Sequence, residues 1–185
     1  VGEMLTELFC AHSPAIAPRR EALSRLAVSF GQGLQMTNIL KDIWDDKNRG
    51  VCWLPQSVFQ SHGFDLADLS SELGATGFEA GLEQLIGIAR GHLDNALAYT
   101  LLIPKEEAGV RRFCLWAIGM AILTLRKISA NRTFRSGAQV KISRRSVKAT
   151  IAVTQLFGWS NRLLGLSYRL VARGLPHAPS TMRRN

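Results

Sequence analysis

The sequence predicts an all-α chain, on three observations. Apolar residues recur at helical spacing through several long segments. Sustained alternation and two-residue hairpin turns are absent. Hydrophobic residues make up 46% of the 185 residues, enough for a packed core, and the length suits one domain or a large piece of one.

The elements follow in order. Residues 1–9 form an apolar helical pattern. Val1 lies inside that pattern and no signal-peptide layout is present, so the chain is expected to be cut from something longer. Residues 19–47 predict a long helix: Leu23, Leu26, Ala27, Phe30, Leu34, Ile39 and Ile43 fall near helical spacing, Pro18 suits its start and Asn48-Arg49-Gly50 its stop. Residues 56–62 predict a short helix ended by Gly63. A connector follows, with Asp65, Asp68 and Ser70 as capping candidates. Residues 78–102 predict a second long helix. Pro104 is expected to open the next, over 106–129, whose apolar run 113–125 implies burial on most sides. Residues 131–143 read as a basic connector. Residues 144–171 read as one helix or a pair, weakened at Gly158 and Gly165. Residues 1–174 are assigned to one domain and 175–185 to a flexible tail.

Composition excludes several classes. Cys10, Cys52 and Cys114 lie far apart, which fits neither a disulfide framework nor a zinc site and suits a reducing compartment. The four histidines share no ligand spacing, and no G-x-S-x-G occurs. Gly31-Gln32-Gly33 lies within a helical segment, so a dinucleotide loop is not expected. No apolar run reaches the roughly 18 residues of a membrane span. Charge is divided: residues 1–107 hold 8 Lys/Arg and all 14 Asp/Glu, whereas 108–185 hold 15 Lys/Arg and no carboxylate. That basic half implies an anionic neighbour or a solvated basic face. The stretch around Gly158 could mimic a helix-turn-helix, but it is apolar and poor in stacking residues, so no nucleic-acid partner is expected.

One segment carries chemistry. Gln35, Asn38, Asp42, Asp45 and Asp46 share a helix face, while Ile39, Leu40 and Ile43 point elsewhere. Such like charges repel unless a cation sits among them. Hard oxygen donors without His or Cys suit Mg²⁺, and Lys41 and Arg49 could hold phosphates beside it. On spacing alone an ordinary acidic helix end is the simpler account, because D-x-x-x-D is common on helices.

The surrounding residues shift that balance. The segment GQGLQMTNILKDIWDDKNRGVCWLP, 31–55, closely resembles the second aspartate-rich motif of the squalene and phytoene synthase family. VGEMLTELF, 1–9, resembles the helix before it. FCLWAIGMAILTLRKI, 113–128, is similar to the FCAIP-type helix, and GAQVKISRR, 137–145, to the basic V-K-I segment. Four matches in family order outweigh any single motif.

The resemblance implies an isoprenoid synthase helical bundle, truncated at its N-terminus. It implies Mg²⁺-dependent head-to-head joining of two farnesyl diphosphates, or similar prenyl diphosphates, through presqualene diphosphate to squalene with NADPH. A phytoene or dehydrosqualene synthase is the alternative. Carried over, Asn38, Asp42 and Asp46 match metal positions. Gln35, Lys41 and Arg49 match substrate-binding positions, Phe113 a catalytic aromatic near carbocations, and Lys141 an NADPH position. Candidate cavity walls are Leu34, Met36, Ile39, Phe113, Trp116, Met120 and Leu123. Lys41 stands where Arg is usual, Ala117 where Pro is usual, and Ser143 where a second basic residue is common. The first aspartate-rich motif is absent from these residues, so the isolated chain is expected to be inactive. The expected location is cytoplasmic, with peripheral contact to an anionic membrane through the basic half. The reading from another class is a non-catalytic basic helical module that binds membrane or nucleic acid.

Overall fold

A computed structural model describes residues 1–69 and 76–178. Among them are the helices α1 (Gly2–His12), α2 (Arg20–Lys41), α3 (Ile43–Asn48), α4 (Gln56–Gln60), α5 (Thr76–Leu102), α6 (Ala108–Ala130), α7 (Gly137–Val140), α8 (Arg144–Phe157) and α9 (Asn161–Ala172). No strand occurs among the described residues. The fold is the all-α bundle expected.

The antiparallel pair α2 and α5 is its spine. Arg19 Nη1 donates to Leu102 O at one end (2.8 Å), and Ser29 Oγ meets His92 Nδ1 further along (2.8 Å). The helices approach closely at Gly33, where a methyl group would stand 3.0 Å from Leu93 Cδ2 and 3.2 Å from the His92 backbone. α1 packs on α2, and α6 covers both α2 and α5. The α8–α9 hairpin crosses α6, where Trp116 Nε1 donates to Thr154 Oγ1 (2.8 Å).

Two apolar clusters hold these layers. One surrounds Phe59, Phe64 and Phe78, with the Phe59 and Phe78 rings stacked at 5.5 Å. The other joins Phe30 to Tyr99 edge-on at 5.2 Å, with Leu23, Ile103 and Cys114 around them. Each fully buried large side chain contributes about 1.5–3 kcal/mol against the entropy of ordering the helices.

Several expectations need correction. The helix expected over 19–47 breaks at Asp42 into α2 and α3. Pro104 does not open α6, which starts at Ala108. The chain turns first, with Glu107 N–H donating to Pro104 O (3.1 Å), because the buried Arg111 takes the carbonyls at the end of α5. The connector 131–143 contains α7. Asp65 caps a short 3-10 turn by accepting from Ala67 N–H (2.9 Å), as its capping role predicted; Ser70 lies outside the described residues. Of the tail 175–185, residues 175–178 are described; there Leu175 is buried and its carbonyl accepts from Arg90 Nη1 (2.5 Å). The rest of that tail lies outside the described residues. α6 is also long and apolar enough to cross a membrane, contrary to the sequence estimate. It is nonetheless the helix on which α2, α5 and α8 pack.

Candidate functional site at the α2–α3 junction

Asp42 sits at the break between α2 and α3, with φ −99° and ψ 12°. Hydrogen bonding continues through it. Its N–H donates to Asn38 O (2.9 Å), and its carbonyl accepts from Asp46 N–H (2.8 Å). The junction is anchored from inside by Leu40, Ile43 and Trp44, all buried. That anchoring turns the polar residues outward, as the apolar pattern of 39–44 requires.

The carboxylates then divide. Asp42 pairs with Lys41 (Oδ2 to Nζ, 3.1 Å), and Asp46 pairs with Arg49 (Oδ1 to Nη1, 3.5 Å). The remaining Asp42 oxygen and Asp45 Oδ2 close on one point beside Gly137, the first residue of α7. A methyl group there would stand 2.9 Å from Asp45 Oδ2, 3.1 Å from Asp42 Oδ1 and 3.3 Å from Lys41 O. The basic segment beginning at Gly137 is thus folded against the aspartate segment, 95 residues earlier in sequence. Helical spacing puts Asp45 on the same face as Asp42 and Asp46, but the metal set implied by the resemblance omits it, and Gly137 is not among the expected site residues. The signal for Gly137 was its place at the head of that basic segment.

Gln35 and Asn38 are exposed on the outward face of α2, and Lys141 is exposed one turn beyond Gly137. Phe113 is separate. It lies near the start of α6, about five turns from Ala130, half-exposed, with its ring edge-on to Phe9 at 6.3 Å. The candidate walls do not line one cavity. Leu34, Met36 and Ile39 pack on the core, Trp116 turns to α8, and Leu123 lines a separate apolar cavity of about 260 Å³ between α6, α8 and α9. An α6 face that is apolar all round offers side chains to several neighbours at once, which is why its stripe could not assign them.

Oxygen donors alone meet at Gly137, and Asp42 and Asp46 keep 34% and 20% of their side-chain surface open. Among the described residues no three His, Cys, Asp or Glu side chains form a complete ligand set. One or two carboxylates suffice for Mg²⁺, which keeps waters and takes phosphate oxygens, so the donor set fits that ion.

A family model described as squalene/phytoene synthase matches residues 1–146, a span that contains every residue of this junction and the whole of α6 and α7. The chain belongs to the squalene/phytoene synthase family. A phytoene synthase from Thermus thermophilus is 35% identical over 108 residues, covering 53% of this chain and 37% of that protein. A squalene synthase from Gibberella zeae is 30% identical over 131 residues, 71% of this chain and 28% of that protein. A 15-cis-phytoene synthase from Pantoea ananas is 27% identical over 164 residues, 89% of this chain and 48% of that protein. The chain spans less than half the length of each of these relatives. Within the squalene/phytoene synthase family, the motif helix and the basic segment of this chain meet at Gly137.

Proposed function

We propose that the chain forms one side of a Mg²⁺-dependent prenyl synthase site, which joins two farnesyl diphosphates through presqualene diphosphate to squalene. The observation that carries this reading is the convergence of the family's aspartate and basic segments on Gly137. Asp42 and Asp46, with Asn38, would hold the ion, and the meeting of Asp45 with Asp42 at Gly137 makes Asp45 a further oxygen donor. Mg²⁺, when bound, supplies Lewis-acid charge to a departing diphosphate. Lys41 and Arg49, which pair with Asp42 and Asp46, would contact phosphate oxygens, with Gln35 offering amide donors from the same helix. Phe113 would present its ring face to a carbocation held away from water. NADPH would supply hydride for squalene, and Lys141 is the residue assigned to it.

A phytoene or dehydrosqualene product is the second reading, favoured by the relatives named phytoene synthase. Carboxylates on the α2–α3 segment alone leave the reaction short of a facing set, so the isolated 185 residues are expected to form no product. The enzyme is further read as cytoplasmic and peripheral, resting on an anionic membrane through α8 and α9. Leu156, Trp159, Leu166 and Leu170 are exposed there beside Arg162, Arg169 and Arg173.

The experiment is product analysis of the full-length protein given farnesyl diphosphate, with and without NADPH, beside an Asp42→Asn variant. Squalene formed only with NADPH, and turnover lowered by about 10² or more in the variant, are the expected outcomes. Wild-type turnover by Asp42→Asn at low Mg²⁺ would refute the assignment.

A further inference from the structure

The end of the bundle away from Asp42 holds a second polar site. α2 carries the chain about 33 Å from Arg20 to Lys41, and Arg19 lies beside Leu102, where α5 ends and the turn into α6 begins. At that end a cavity of about 210 Å³ is bounded by Lys105, Ala108, Arg111 and Arg112 from one side, and by Gln155 of α8 and Trp159 of the α8–α9 turn from the other. Its lining includes three basic side chains and no carboxylate among the described residues.

Arg111 is 1% exposed. Its Nη1 donates to Ile103 O (2.5 Å) and Thr100 O (3.3 Å), and Nη2 donates to Asn161 Oδ1 (2.7 Å), but Nε has no partner. No ion pair among the described residues involves Arg111, Lys105 or Arg112. Glu106 acts on Arg111 only through its field and stays exposed, while Glu107 accepts from Ser13 Oγ (2.5 Å). Arg112 Nε returns to Ala108 O (3.0 Å). A buried guanidinium without a contacting ion-pair partner is costly, and a phosphate group would supply both charge and acceptors.

The rim indicates what carries the phosphate. Trp159, which lines the cavity, and Leu156, whose carbonyl accepts from Trp159 Nε1, are each 65% exposed, and the carboxylates next to the cavity's basic residues in sequence are Glu106 and Glu107. A soluble anion has no use for those apolar side chains, whereas a lipid headgroup brings an interface for them to enter. We propose that this cavity seats the phosphate of an anionic phospholipid headgroup, with Trp159 and Leu156 entering the bilayer interface beside it. The proposal rests on the peripheral-contact reading above and gives it a defined headgroup site.

The test is co-sedimentation of the full-length protein with phosphatidylglycerol and phosphatidylcholine vesicles. Lys105→Gln/Arg112→Gln is expected to weaken binding to the anionic vesicles by about thirtyfold, and Trp159→Phe to abolish a blue shift of emission on binding. A parallel variant, Arg162→Gln/Arg169→Gln/Arg173→Gln, reports the diffuse attraction of α9. Loss of binding in that variant, with Lys105→Gln/Arg112→Gln binding like wild type, would overturn the pocket and leave peripheral contact standing. No binding of the wild type to anionic vesicles would overturn both. Uptake of inorganic phosphate at Lys105 and Arg112 without vesicle binding would overturn the lipid assignment.

Discussion

Replacing Gly137 with Ala probes the point where the two family segments meet. The backbone there has ordinary negative φ, so Ala incurs no left-handed strain. In a helix interior the change would gain about 1 kcal/mol, and less at the first residue of the four-residue α7. Against that gain, the new methyl would stand 2.9 Å from Asp45 Oδ2, 3.1 Å from Asp42 Oδ1 and 3.3 Å from Lys41 O. Two of these oxygens are carboxylate ends that can swing aside and the third is backbone, so the overpacking costs about 1 kcal/mol, the low end of the range for such contacts. The net loss is at most about 1 kcal/mol, or about 2–4 °C in Tm for a chain of about 150–250 residues and less for the longer full-length protein. The carboxylates would also be spread apart, so stabilisation by Mg²⁺ should shrink. Thermal unfolding of the full-length variant with and without MgCl₂ measures both effects. A Tm equal to wild type together with an unchanged Mg²⁺ increment would refute the reasoning, because neither the contact nor the shared donor set would then matter.

Other outcomes follow from burial. Tyr99 and Tyr168 are the two tyrosines of the chain, and burial is the main force holding both hydroxyls above the ordinary value, Tyr99 at about 12. Tyrosinate absorbance should therefore stay flat through about pH 10 and rise only with unfolding; a step near the ordinary value would contradict the packing of α5. His92 is held below 6.5 by burial, beside Ser29. Its folded pKa is lowered, so its contribution is fully present above about pH 6.5 and is lost as pH falls below that value. Tm should drop between about pH 7 and pH 5 more in wild type than in His92→Asn, and equal drops would show that His92 stays solvated.

How far the sequence could be read depends on the range of the forces involved. Helical periodicity is local, so α1, α5 and most of α6 were legible from their apolar stripes, as was the outward turn of Gln35 and Asn38 opposite Leu40 and Ile43. The family segments were legible for the same reason, since each lies within one short stretch. Both Gly158 and Gly165 were candidate breaks. The break falls at Gly158, after α8, while Gly165 remains inside α9. Pro104 suggested a helix start that Arg111 moves to Ala108 by capping α5 from within. Asp42, Asp45 and Asp46 are equivalent by spacing. Asp46 pairs locally with Arg49 at i,i+3, but Asp42 and Asp45 meet beside a glycine 95 residues from Asp42, which helical spacing cannot see. Sequence alone determined which residues carry charge and which helix face they take. The tertiary structure decided which of them meet, because contact between distant segments is settled by packing across helices and not along one.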